Sequence, residues 1–340
     1  MRLDVMSTGG DLRRIQDLAR GIEAAGLDGL VVTEAGRTAY LSCAAAALAA
    51  DIDLLTGIAV AFPRSPMVTA QVAWELADAS GGRFRLGLGT QVRAHVERRY
   101  GATFDPPGPR LREYVEAVRA CFRAFRGAER LGFEGRWWSL SLLPGMWSPG
   151  EIDVGDPPID VAAVNPWMLR MAGEVADGIH VHPLNTPAYL RDTVEPNAHA
   201  AGRRPVLIVP AFTAFGDDEE RHRWREMARM QVAFYGSTPN YSFIFEQAGH
   251  EGVTERLRER QKAGDLAGMA SVIDDDLLAA FCSEGTWSEA PAILAERYAG
   301  VADRVVLYFA GMAWADDPDA LAPWADVARA LRAHAPRQGA

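Results

Sequence analysis

The chain has 340 residues, with 45 acidic against 35 basic side chains and a formal net charge of −10 at pH 7. That balance argues against nucleic-acid binding, which wants a basic face to release phosphate counterions. A hydrophobic content of 49% with 24% charged residues argues against disorder.

Cys43, Cys121 and Cys282 lie far apart with no CxxC pair, so neither a disulfide framework nor a zinc ribbon is expected, and a reducing cytoplasm fits. Of the 35 basic residues only Lys262 is a lysine, a bias that GC-rich codon usage produces. The opening segment carries Arg2 and Asp4 and runs into Ser7-Thr8-Gly9-Gly10, without the apolar core of a targeting signal. The most apolar run, Leu41–Ala50, is far shorter than a membrane span. A soluble, cytoplasmic protein is expected.

Leu3–Met6 reads as a short strand. Asp11 caps a helix through Ala25, with Leu12, Ile15, Leu18, Ala19 and Ile22 at helical spacing, and Gly26 ends it. Gly29–Glu34 is the next strand and residues 38–49 a helix. Ile52–Phe62, apolar and β-branched, reads as a buried strand. Pro66 opens a helix through Ala79 at the first-turn position where proline is tolerated. Ser80-Gly81-Gly82 turns the chain into a fourth strand, Arg83–Gly89, and Pro109–Phe125 is an amphipathic helix.

Residues 126–156 break the rhythm, with Trp137, Trp138 and Trp147 among prolines and glycines. Ile159–Val164 resumes as strand, followed by a helix to Ala176, a strand over Gly178–Val181 and a helix from Thr186 to about Ala201. Pro205–Phe215 is a strand and Asp217 starts a helix. A second irregular region covers residues 234–280, with helical pieces of its own. Arg304–Phe309 is the last strand, and a helix begins near Asp319.

Apolar strands alternating with helices imply a parallel sheet covered on its faces. Eight such units favour the α/β class and a (β/α)8 TIM barrel, a fold of about 250 residues that leaves the excess to loop insertions. The organisation expected is one barrel domain over residues 1–340 with insertions at about 126–156 and 234–280. An open dinucleotide-binding sheet would carry G-x-G-x-x-G after its first strand. The nearest match, Gly87-Leu88-Gly89-Thr90-Gln91-Val92, follows the fourth strand and has valine where the third glycine belongs.

Barrels gather function at the C-terminal ends of their strands. Here those ends are Thr33-Glu34, Thr56–Ala59, Gly89–Gln91, Ala162–Asn165 and His180–Pro183, small and polar with few charges. They suit a broad planar ligand lying against backbone. Glu34 either serves a ligand or proton, or tethers a loop. Gly57, inside a bulky strand, marks close packing or a bulge that lets a ligand approach. His180 and His182 project to one face but lack an evident third ligand, so no metal is expected. His182 is the candidate donor to a phosphate or substrate, and His180 reads as a packed core histidine. His95 is either a site residue or a surface-loop one. The tryptophans of the first insertion form a lid, an anchor, or both. G-x-S-x-G, Walker A and H-E-x-x-H are all absent.

Five stretches together resemble the bacterial luciferase-like monooxygenase superfamily, in the branch that depends on the deazaflavin coenzyme F420. They are Gly57–Pro66, Ser80–Thr90, Pro109–Ala120, Phe133–Trp138 and Ala172–Thr186. The resemblance implies a cofactor ring over the barrel mouth, against a bulge at Gly57 and Ile58 that in relatives often contains a non-proline cis peptide. It implies tail contacts from Gly89, Thr90 and Gln91, from Ala163, Val164 and Asn165, and from His182 and Pro183. It also implies hydride transfer by the cofactor, and a homodimer.

One departure stands out. Close relatives carry histidine-aspartate-proline-phenylalanine where this chain reads Arg37-Thr38-Ala39-Tyr40. Arg37 thus replaces a histidine, and arginine suits an anionic oxygen better than proton transfer near neutral pH. The expectation is an F420-dependent oxidoreductase acting on a small, largely apolar organic substrate. Glu34 and Arg37 would line the reacting side, with His95 as reserve proton donor. The alternatives are a reduced-FMN monooxygenase using oxygen, and a barrel that binds cofactor or metabolite without turnover.

Overall fold

Eight parallel strands close on themselves in the computed structural model, which describes residues 1–333. They are β1 Arg2–Ser7, β2 Gly29–Val32, β3 Asp53–Thr56, β4 Phe84–Gly89, β5 Ile159–Ala163, β6 Gly178–Val181, β7 Val206–Phe215 and β8 Arg304–Leu307. β1 pairs with β2 on one side and β8 on the other, so the first and last strands seal the barrel. Helices follow the strands and cover the outside. This is the expected (β/α)8 architecture. Among the described residues, no helix is long and apolar enough to cross a membrane.

The strand period sorts the side chains. Leu30, Val32, Leu54, Leu86, Ile159, Ile179, Val209 and Val305 are buried with the core that includes helical Ile15, Leu18, Trp74 and Phe122. Residues of the other parity fill the interior in layers. At the N-terminal end this layer is charged. Arg304 Nε and Nη2 donate to Asp4 at 2.7 and 2.6 Å, and Nη1 donates to Asp53 at 2.7 Å. Arg85 holds Asp160 through two bonds of 2.9 and 2.5 Å. Gly29 and Gly178 make room, since a Cβ there would lie 2.8 Å from Asp4 Oδ1 and 2.4 Å from Asp160 Oδ1. Above the charges, Val31, Leu55, Ile208 and Val306 form an apolar layer.

Three departures from expectation bear on the barrel and its mouth. The strand expected over Ile52–Phe62 breaks after Thr56, and Ala59–Val60 pairs instead with Leu88 and Gly89 of β4. The peptide between Gly57 and Ile58, where the chain breaks step, is cis. A short strand at Cys282–Gly285 pairs with the upper half of β7. Its cause is length: β7 has ten residues, pairs with β8 only from Ile208 to Ala211, and leaves an open edge above. Finally, His95 lies in a helix, Arg93–Arg98, that the sequence pattern did not signal.

Arg304→Met should lower stability by about 3–5 kcal/mol, because it strands the buried Asp4 without its counter-ion and leaves Asp53 only Arg2. Denaturant unfolding measures this, and an unchanged midpoint would show that the layer does not hold the barrel.

Candidate active site at the barrel mouth

A cavity of about 290 Å3 opens above the apolar layer at the C-terminal ends of the strands. Glu34, Gly57, Ile58, Gly89, Thr90, Gln91, Val164, His182 and Pro183 all line it. The other expected residues stand elsewhere. Ala163 is buried in the core between barrel and helices. Asn165 caps the helix Pro166–Val175, its Oδ1 accepting from Met168 N at 2.9 Å. Arg37 is exposed and donates from Nη1 to Gly10 O at 2.8 Å. His95 is exposed on its short helix. Neither Arg37 nor His95 lines the cavity.

Glycines let the floor pack closely. A Cβ on Gly57 would come within 2.2 Å of Val31 Cγ1, and one on Gly89 within 2.7 Å of Ile58 Cδ1. Ile58 can therefore lie across the mouth only because position 89 has no side chain. Thr33 Oγ1 donates to Gly57 O at 2.7 Å and fixes that backbone from below. Gln91 takes a left-handed conformation, φ 58°, with its Oε1 accepting from Val92 N at 2.9 Å. Such backbone is uncommon outside glycine and gathers at functional sites.

Glu34 is engaged within the protein. Its carboxylate accepts from Val60 N at 2.8 Å and from Arg64 at 2.5 and 2.9 Å, and the side chain is only 3% exposed. This is the geometry of a tether that ties the end of β2 to the segment beyond Gly57. Arg64 in turn lies over the Tyr40 ring, 5.1 Å from its centroid.

Tyrosines supply the polar groups that sequence reasoning did not place. Tyr235, Tyr241 and Tyr308 line the cavity. The Tyr235 and Tyr308 hydroxyls are 2.6 Å apart and hydrogen-bonded. His182 sits edge-on to Tyr235, with centroids 4.9 Å apart, and against Tyr241 at 4.2 Å. Its Nδ1 accepts from Leu184 N at 3.0 Å, which puts the ring proton on Nε2. Burial pushes its pKa down to about 3. Tyr308 follows Val306 by two residues and so shares its face, a period-2 signal that could have found it. Tyr235 and Tyr241 were visible as aromatic residues of the second insertion, but not their direction.

The first insertion is an anchor. Glu113, on the helix Pro107–Phe125, accepts from the backbone N of Arg136, Trp137 and Trp138 at 2.9, 2.7 and 3.0 Å. Trp138 packs edge-on against Tyr114 at 5.2 Å. No residue of 126–156 lines the mouth cavity. Trp137 and Trp138 thus follow the anchor reading, while Trp147 is exposed and does not line the cavity.

A family described as luciferase-like monooxygenase matches residues 2–305. An uncharacterized protein of Mycobacterium tuberculosis is 36% identical over 307 residues, which cover 88% of this chain and 90% of that protein. A 5,10-methylenetetrahydromethanopterin reductase of Archaeoglobus fulgidus is 28% identical over 246 residues, covering 69% of this chain and 70% of the reductase. Among solved structures, the coenzyme F420 dependent tetrahydromethanopterin reductase from Methanopyrus kandleri aligns with a TM-score of 0.75 at 20% identity, over 98% of this chain and 99% of that one. An F420-dependent secondary alcohol dehydrogenase aligns with a TM-score of 0.71 at 14% identity, over 97% and 99%. At these identities the two structures establish the fold alone.

Two measurements follow. His180 and His182 both stay neutral in the folded chain down to about pH 3, whereas unfolded histidines protonate near 6.5. The unfolded state then binds more protons as pH falls from about 6.5 toward 3. Stability should drop by roughly 1.4 kcal/mol per pH unit for each ring, and His182→Gln should remove its share of the slope. Glu34→Gln should cost about 3 kcal/mol, and Arg64→Met added to it far less than alone. Additive losses in that double-mutant cycle would dissolve the tether.

Proposed function

The chain belongs to the luciferase-like monooxygenase family, and from that premise we propose an F420-dependent oxidoreductase that moves a hydride between the deazaflavin and a small, largely apolar organic substrate. The observation that carries this is a cavity at the strand ends, lined by Gly57-Ile58 and Gly89-Thr90-Gln91 and walled by tyrosines. Its one acidic side chain, Glu34, is already consumed by Arg64 and Val60 N. Such a site suits a flat ring and a neutral partner. The F420 dependence printed for two solved structures of the same fold, the tetrahydromethanopterin reductase and the secondary alcohol dehydrogenase, supports a deazaflavin.

The cradle suits a ring: Gly57, Ile58 and Gly89 line its base, and Thr90, Gln91, Val164, His182 and Pro183 surround it. Bound there, F420 supplies the two-electron hydride chemistry. The chain's own share is proton handling and exclusion of water. In the hydrogen-bonded pair Tyr235–Tyr308 one hydroxyl donates to the other, which leaves one O–H free for a substrate oxygen. Burial raises both phenols above their ordinary range, so they remain donors across physiological pH. His182 Nε2–H adds a second donor. Proton handling thus passes from the loop bearing Arg37 to the tyrosines.

Fluorescence titration with F420 and with FMN tests the assignment. F420 should bind, and tight FMN binding without F420 binding would favour the oxygen-using reading. F420 binding with no donor oxidised and no acceptor reduced would favour a barrel without turnover. Tyr308→Phe should reduce turnover on the order of 100-fold with F420 affinity nearly unchanged. Undiminished turnover would remove the pair from the chemistry.

A further inference from the structure

His180 lies on β6 two residues before His182, is only 6% exposed and lines the floor of the mouth cavity. Two glycines make its place. A Cβ on Gly87 would stand 2.6 Å from Nε2, and one on Gly57 would stand 3.4 Å from Cε1 and 3.6 Å from Nδ1. The ring is therefore wedged between β4 and the Gly57 backbone at the base of the site.

Its polar atoms are unspent. Nε2 is buried without a hydrogen-bond partner. The carboxylate nearest to it is Asp160, whose Oδ2 is 3.9 Å away and which Arg85 holds in place by two hydrogen bonds. Among the described residues no donor reaches Nδ1, on the Gly57 side of the ring. The buried unpaired nitrogen is Nε2, whose nearest acceptor is the Asp160 carboxylate, and Nδ1 is not among the buried unpaired atoms. The Asp160 carboxylate favours the ring proton on Nε2, and this frees the Nδ1 lone pair toward the cavity.

We propose that His180 contacts the bound molecule directly, as a neutral imidazole protonated on Nε2 whose Nδ1 accepts a hydrogen bond from an N–H of a planar heterocycle seated at the mouth. This rests on the reading of the mouth as a deazaflavin site, because such a ring system carries an imide N–H. The charged groups facing the imidazole are Asp160 from β5, Arg85 from β4 and Arg304 from β8. Burial first, and then the two guanidiniums, hold the ring neutral down to about pH 3. The acceptor is thus present at every physiological pH.

Two experiments decide it. In the ligand-free protein, nitrogen-15 NMR of labelled histidines, assigned with His180→Asn, should show the neutral Nε2–H form from pH 5 to 8. F420 should then shift the Nδ1 resonance. A charged ring, an Nδ1–H tautomer or an unmoved Nδ1 resonance in the F420-bound protein overturns the proposal. By fluorescence titration His180→Leu should bind F420 about tenfold more weakly, the size of one lost hydrogen bond. His180→Asn, whose side-chain oxygen stands near the place of Nδ1, should stay within about threefold of the parent. Equal affinity for His180→Leu, folded by circular dichroism, sinks the contact and leaves the cofactor reading standing. If His180→Leu does not fold, His180→Asn and the Nδ1 shift decide. A parent protein that binds no F420 sinks the cofactor reading and the assigned ligand with it.

Discussion

Arg304 bonds to Asp4 on β1 and Asp53 on β3 from the strand that closes the barrel, and the rest of the interior is arranged around that contact. A buried guanidinium is tolerable only when its donors are taken up by carboxylates in good geometry. Arginine does this with a planar fork, which a single ammonium does not offer. The near absence of lysine is first a codon effect, but it leaves a residue well suited to a buried layer. Glycines at 29 and 178 are the steric consequence: the acids occupy the space a Cβ would need.

The same layer reaches the active end. Arg85 and Arg304 disfavour a proton on His180, two residues above the charged layer on β6, and so help to keep a neutral imidazole at the cavity floor. Above it the strands end in glycine or small residues, and the chain spends its polar side chains on holding backbone. Thr33 holds Gly57, and Glu34 with Arg64 holds the turn beyond it. The mouth is thereby rigid and nearly free of unpaired charge. Its donors arrive from outside the strand-end pattern: Tyr235 from the last turn of the helix Asp218–Gly236, Tyr241 from the second excursion, and Tyr308 from just past β8.

The two excursions divide the work. The first is bound to the barrel wall through Glu113, which draws in three backbone N–H groups, and Trp138 packs on Tyr114 away from the mouth. The second runs from the end of the helix Asp218–Gly236 over the cavity and pairs Tyr235 with Tyr308 across it. Aromatic content alone did not distinguish them, because an indole that anchors a loop and a phenol that walls a ligand look alike in composition.

The amino-acid sequence by itself determined the eight barrel strands and the glycines near their ends, because apolar runs and helical periods are local properties; what those glycines clear, Val31 at 57 and Ile58 at 89, is tertiary. It also marked Gly57 as the place where the third strand could depart from regularity, and most of the residues implied by resemblance do line the cavity. Tertiary structure alone decided which polar atoms remain free. Glu34 lost its freedom to Arg64, thirty residues away. Arg37 turned to Gly10 O. His180 gained significance from Asp160, Gly87 and Gly57, which lie on three other parts of the barrel. A lone pair is available only if no distant neighbour has taken it, and that is settled when the strands come together.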